Sequence, residues 1–266
     1  MNALTLRDFL YRSGFKFEQM VAFARSTRTP ISLTLDLFKL KRHAFVAITN
    51  DGIKLRLEPS CGESFTFFEN LVRRDYLPPS IKLSSGDTVV DIGANIGSFA
   101  VLAGTLIGPE GRVIAFEPVP ATYERLKKNI DLNGLHNVEC TSAAIDDRDG
   151  EMRMLTSPKS AWSTLHPRDD QKQLSDALSV PTITLARVFA DNKIDRINLM
   201  KVDCEGSEYG IFETLPADLA PRIDQIAMEV HELDGKSPDS LAAHLESLGF
   251  SVTRNGCNWF AVRSVS

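Results

Sequence analysis

The chemistry in this 266-residue sequence gathers at the ends of short apolar runs. Val89-Val90-Asp91-Ile92-Gly93-Ala94-Asn95-Ile96-Gly97 reads as a buried strand with an acid at its end, a glycine turn, then a helix. Glycine lets the backbone turn sharply and lets a ligand approach main-chain N–H groups with no Cβ in the way. A dinucleotide fingerprint would want glycine at 93, 95 and 98, where this chain has Gly93, Asn95 and Ser98. A pyrophosphate on this helix is therefore not expected. An acid beside the turn repels phosphate and suits a ligand carrying an ammonium group. Glu117 ends a second apolar run, Arg112 to Phe116, twenty residues beyond Gly97. An acid at that spacing can accept both hydroxyls of a ribose.

A third group lies later. Leu199-Met200-Lys201-Val202-Asp203-Cys204-Glu205-Gly206 and Met228-Glu229-Val230-His231-Glu232 both read as strands running into acid-rich turns. An open parallel sheet binds ligands outside the C-terminal ends of its strands, so Asp91, Glu117, Ala143, Ala144, Asp203 and His231 are expected on one rim.

The elements that must carry these residues alternate. From about residue 81, strands (88–91, 112–117, 138–145, 197–203, 225–230) alternate with helices (97–106, 121–132, 184–192, 207–214, 238–248), which predicts a mostly parallel sheet covered on both faces. Asn255-Gly256 joins Phe250–Arg254 to Asn258–Arg263 as a hairpin, so one strand near the edge must be reversed. Residues 156–180 read as an irregular polar stretch in which Trp162 and Ser163 are candidate acceptor contacts; Tyr76 is a candidate to close the pocket, with packing in the core as its alternative role. Residues 1–80 read as an α+β appendage to a domain spanning 81–266: a helix over 4–25, a hairpin over 44–57 and a helix near 64–75.

Composition sets the frame. The chain is 43% hydrophobic and 24% charged, ordinary for a globular protein, and no apolar run approaches the ~20 residues of a membrane span. Its four cysteines are scattered without a Cys-x-x-Cys pair, so neither a disulfide framework nor a zinc ribbon is indicated and a cytoplasmic location is expected. Residues 1–45 hold eight Lys/Arg against three Asp/Glu, while the whole chain carries −5. An acidic pI near 5.6 argues against nucleic acid as a partner. The apolar, Phe-rich N-terminal segment is a candidate surface for pairing two copies.

Taken in order, Asp91-Ile-Gly-Ala-Asn-Ile-Gly97, Phe116-Glu117-Pro118, Lys201-Val-Asp-Cys-Glu-Gly-Ser-Glu208 and Glu229-Val-His231 resemble the FkbM-type S-adenosylmethionine-dependent methyltransferases over roughly residues 65 to 262. The resemblance implies a class I methyltransferase fold: a doubly wound, Rossmann-like α/β sheet of seven strands with one reversed. It implies S-adenosylmethionine as cofactor. The turn Gly93, Ala94, Asn95 and Gly97 would face its methionine part with Asp91 near the ammonium. Glu117, with Pro118 beside it, would hold the ribose. The backbone at Ala143 and Ala144 would edge the adenine, with Asp146 as the substitute for an acid absent at Ala144.

The expected reaction is O-methylation of a hydroxyl on a sugar, glycan or secondary metabolite. Such an acceptor needs a base, and Asp203 and His231 are the candidates, with Glu205 orienting the groups. No metal is expected; a Mg²⁺ held by Asp203 and Glu229, with or without His231, is the alternative. Two other classes compete. A nicotinamide oxidoreductase fits the alternation and Glu117 but not the missing third glycine or the reversed hairpin. A non-catalytic nucleotide-binding protein fits poorly with intact acids at every strand end.

Overall fold

The computed structural model describes residues 6–156, 164–166 and 176–263. It begins with α1 (Leu6–Ser26) and α2 (Pro30–Leu37), then a hairpin of β1 (Phe45–Ile48) and β2 (Lys54–Leu57). Next comes α3 (Glu63–Phe67), which runs into a π-helical turn over Phe68–Arg73. Pro30 starts α2 where the sequence suggested only a break, because a proline in the first turn has no hydrogen bond to lose.

The central sheet uses β3 (Thr88–Ile92), β4 (Arg112–Phe116) and β5 (Val138–Thr141), with α4 (Ser98–Ile107) and α5 (Pro120–Leu132) as crossovers. A side sheet follows: β6 (Ala144–Ile145), β7 (Gly150–Thr156) and β8 (Asp176–Ile183). The chain then returns through α6 (Leu185–Asp191), β9 (Leu199–Val202), α7 (Glu208–Glu213), β10 (Gln225–Glu229), α8 (Pro238–Ser247), β11 (Phe250–Asn255) and β12 (Asn258–Arg263). The seven-stranded order is β11-β12-β10-β9-β3-β4-β5. Only β12 is reversed, antiparallel to both neighbours and second from the edge, as the Asn255-Gly256 turn predicted.

Period-two alternation divides each central strand between two cores. Val89, Val113, Ala115 and Leu199 join one apolar cluster with α4 and α5, while Val90, Ile114, Phe116 and Met200 join the other with α6, α7 and α8. The first cluster also contains Phe23, Leu33, Leu55, Leu57, Phe67 and Phe68, so the N-terminal elements share a core with the sheet. The phenylalanines clustered early in the sequence pack edge to face there, Phe23 on Phe68 at 5.8 Å. Asn129 on α5 pins the hairpin: its Oδ1 accepts from the Arg56 N–H at 2.7 Å and its Nδ2 donates to the Ile96 carbonyl at 2.9 Å. On the outer side of α2, Ile31, Leu35 and Phe38 remain exposed. No helix among the described residues is long and apolar enough to cross a membrane.

Two expectations need correction. The strand expected over 138–145 stops at Thr141, and Ala144–Ile145 leaves to pair with Thr182–Ile183 in the side sheet. Part of the stretch read as irregular is β7 and β8, paired antiparallel from Gly150–Thr182 to Thr156–Asp176. Pro181 hides β8 from a strand reading, since proline cannot donate to a ladder; it falls just before Thr182, the residue of β8 that pairs on both sides.

Candidate active site

At the C-terminal ends of β3, β4, β9 and β10 lies a cavity of about 400 Å³, within the range of small-molecule sites. One end is built from the β3–α4 turn. Gly93 has φ +74°, and its N–H and that of Ala94 donate to the Phe116 carbonyl at 3.1 and 2.9 Å. A Cβ at Gly93 would sit 1.8 Å from the Asp203 carbonyl oxygen, so only glycine lets β3 and β9 converge here. Gly93→Ala is therefore expected to lower the melting temperature by several degrees and to abolish ligand binding at this turn, read by thermal unfolding and calorimetry.

Glu117 lies across from that turn, 5% exposed. Its Oε2 accepts from the Asn95 N–H and its Oε1 from the Val119 N–H, each at 2.9 Å. Burial pushes its carboxyl up to about 7, against the pull of those two N–H groups. Asn95 Oδ1 and Ser98 Oγ line the cavity, buried and with no partner among the described residues. Ala143, Ala144 and Ile145 form an apolar wall with Met154 of β7 and Leu165. A fixed carboxylate, unspent polar atoms and an apolar slot together suit a purine nucleoside with a polar tail. The residues present therefore fit S-adenosylmethionine.

The other end is acidic. Glu69, Asp203, Glu205 and Glu229 line it. Burial, then the charges of Asp203 and Glu229, push Glu69 up to about 8. Burial pushes Glu205 up to about 7 against the pull of His231. Glu205 also holds φ +53°, an unusual conformation for a residue with a side chain. Asp203 accepts a hydrogen bond from the Tyr76 hydroxyl at 2.9 Å and lies 3.6 Å from Lys201 Nζ.

Five sequence-derived assignments change. Asp91 does not line the cavity: it is fully buried, with its carboxylate 3.4 Å from Lys201 Nζ. Gly97 packs against α5, where a Cβ would meet Leu126 Cδ1 at 2.6 Å. Tyr76 is 3% exposed, stacks edge-on to Phe99 at 5.9 Å and positions Asp203 instead of closing the pocket. Asp146 is fully buried and tied to His166 Nε2 at 2.7 Å, so it cannot read an adenine. His231 Nδ1 lies 2.7 Å from the buried Glu208 carboxylate. Burial opposes its charge, but Glu208 and Glu205 outweigh that and raise it to about 10. Held by Glu208, the imidazole keeps its proton more firmly than a free histidine does, which disfavours it as the base in the ion-free protein. Trp162 and Ser163 lie outside the described residues.

Gly93, Ala94, Asn95, Glu117, Pro118, Ala143, Ala144, Asp203 and Glu205 do line the cavity. Glu69, Asn70, Met154, Leu165 and Lys201 were not assigned from sequence. For Lys201 a signal existed: a lysine between Met200 and Val202 in an otherwise apolar strand must find an anion inside. Glu69 and Asn70 gave none, since they reach the site only through the fold of the N-terminal segment.

Residues 91–252 match the family model described as the Methyltransferase FkbM domain. The chain is 30% identical over 221 residues, 73% of its length and 84% of the relative's, to the 31-O-demethyl-FK506 methyltransferase FkbM of Streptomyces tacrolimicus. It is 26% identical to the hexuronic acid methyltransferase AglP of Haloferax volcanii, over 54% of this chain and 56% of that one. The crystal structure of a methyltransferase FkbM from Methylobacillus flagellatus aligns with a TM-score of 0.48 at 15% identity, over 73% of this chain and 47% of that one. With a class I strand order, a strand-end cavity and a matched domain over most of the sheet, this chain belongs to the FkbM methyltransferase family.

Proposed function

We propose that the protein uses S-adenosylmethionine to methylate a hydroxyl oxygen of a sugar, glycan or secondary metabolite. One observation carries the reading: Glu117 presents both carboxylate oxygens, each fixed by a backbone N–H, at one end of a cavity whose other end holds Glu205. The cofactor, when bound, supplies a methyl carbon already activated by a sulfonium. What is left to the chain is holding, orienting and proton transfer. Glu117 would take the ribose hydroxyls, the Gly93–Asn95 turn the methionine part, and the wall of Ala143, Ala144, Ile145, Met154 and Leu165 the adenine. The names of the relatives, a demethyl-FK506 methyltransferase and a hexuronic acid methyltransferase, support a hydroxyl-bearing small molecule or sugar as acceptor.

Glu205 is the best-matched base. A carboxyl raised to about 7 accepts a proton well near neutrality. Asp203, by contrast, has its Oδ2 engaged by both Tyr76 and Lys201. Glu205→Gln is expected to lower kcat by ~10²-fold or more with cofactor affinity unchanged. The carboxyl must be ionised to act, so wild-type kcat at saturating cofactor should climb with pH through about 7, and that climb should vanish in the variant. Unchanged turnover would move the base to Asp203. Calorimetry with S-adenosylmethionine, its demethylated product and NAD tests the cofactor itself: tight binding of the first two and none of the third is expected. Labelled cofactor incubated with host extract would then reveal the acceptor.

A further inference from the structure

We propose that Asp203, Glu229 and His231 form a site for one divalent cation of the Mn²⁺/Mg²⁺ class at the acceptor end of the cavity. One oxygen from each carboxylate and one imidazole nitrogen lie within 4.8 Å of one another. Octahedral coordination at about 2.1 Å places ligand atoms roughly 3 to 4 Å apart, so modest side-chain rotations close the site. Two oxygens and one imidazole suit Mn²⁺ or Mg²⁺, and no thiolate is among the three donors to favour zinc.

The imidazole is aimed before any ion arrives. Nδ1 is engaged by Glu208, which is fully buried, so Nε2 is the nitrogen turned towards the carboxylates, and an ion bound there takes the place of its proton, which is released to solvent. It lies 3.6 Å from Glu205 Oε2 and 4.0 Å from Glu229 Oε1, beyond hydrogen-bond range of both. A carboxylate behind a ligating histidine is the usual outer arrangement of a metal site. A second observation lies apart from the three donors. Asn70 lines the same cavity, is 6% exposed, and its Oδ1 has no partner among the described residues. Lys201, whose amine is buried beside this end, is committed to the Gly93 carbonyl at 2.8 Å, to Asp91 and to Asp203. A cation here would bind an acceptor hydroxyl directly and favour its ionisation, easing proton transfer to Glu205. That role rests on the methyltransferase reading above; binding of the ion does not.

The test is titration of the cofactor-free protein with Mn²⁺, followed by loss of the free-ion paramagnetic signal, and with Mg²⁺ by calorimetry. One equivalent should bind saturably below ~1 mM. Glu229→Gln should weaken binding at least tenfold, and Glu208→Gln, which touches the imidazole and the Gly206 N–H but none of the proposed carboxylate ligands, by about tenfold. Both variants should remain folded by thermal unfolding and keep wild-type affinity for the demethylated cofactor product. Absence of saturable Mn²⁺ and Mg²⁺ binding overturns the proposal, as does equal binding by wild type and folded Glu229→Gln. If the ion fails to bind while the cofactor product binds, only the metal site falls. If the ion binds and the product does not, the methyl-donor reading falls instead.

Discussion

Glu117→Gln is expected to weaken S-adenosylmethionine and its demethylated product by about 100-fold. The physical basis is the loss of a charged acceptor for two hydroxyl donors; hydrogen bonds to charged groups contribute ~1.5–3 kcal/mol each, and an amide retains only part of that. Glutamine preserves the shape, so the apolar wall and the Gly93 turn stay in place. The pH dependence separates charge from packing. In the free protein burial holds the Glu117 carboxyl at about 7. Below that pH the group must lose a proton before it can accept both hydroxyls. Wild-type affinity should therefore rise as pH increases through about 7 and then level, while the glutamine variant should be flat.

Stability should move the other way. The folded value lies above the ordinary 4.5, so this carboxyl's contribution is fully present below about 4.5 and is lost as pH rises towards 7. The cofactor-free variant should consequently be no less stable than wild type at pH 8. Calorimetry from pH 5.5 to 8.5 with thermal unfolding on the same samples decides it. Wild-type affinity in a folded Glu117→Gln variant would remove this residue from the ribose site.

Local signals made the Gly93–Glu117 end of the cavity legible and left its acidic end largely unread. The Gly93 turn, Glu117 and the Asn255-Gly256 hairpin each depend on a few contiguous residues whose backbone requirements show in their types. The direction of a side chain within a strand is also local, and the alternation could have been used further. Val90 and Ile92 belong to one core and Val89 to the other, so Asp91 had to point with Val89, on the face of its ladder partner Lys201. The side sheet escaped because Pro181 interrupts its longest strand and its partners lie across a polar segment. Tyr76, Glu69 and Asn70 reach the site through the packing of the N-terminal helices on the sheet, a long-range fact that no spacing encodes. Glu205 was visible as an acid near the rim; that burial tunes it to about 7 was not, because burial depends on elements distant in sequence.

Lys201→Met should be the most destabilising single change at this site. Lys201 and Asp91 are directly opposite in the β3–β9 ladder, and on such a face opposite charges meet. Both are buried, and Nζ also donates to the Gly93 carbonyl at 2.8 Å and lies near Asp203. Burial opposes the lysine's charge, but Asp91 and Asp203 outweigh it and keep the amine protonated. For Asp91 burial dominates and raises the carboxyl, with Lys201 pulling it back. Methionine fills the lysine's volume and removes the charge, leaving a buried carboxylate without its cation. Breaking one side of such a pair costs about 3–5 kcal/mol, or roughly 10 °C in a chain of this size. Without Lys201 the Asp91 carboxyl must rise further, so the variant takes up a proton there at a higher pH than wild type does. The deficit should therefore be larger at pH 8 than at pH 5. Adding Asp91→Asn should restore part of the lost stability at pH 8, since no charge is then left stranded. Cofactor affinity should not recover with it, because the double variant still lacks the ammonium that ties the Gly93 carbonyl to Asp203. A deficit equal at both pH values, and untouched by Asp91→Asn, would mean that Lys201 supports the turn alone and that Asp91 is neutral in the native protein.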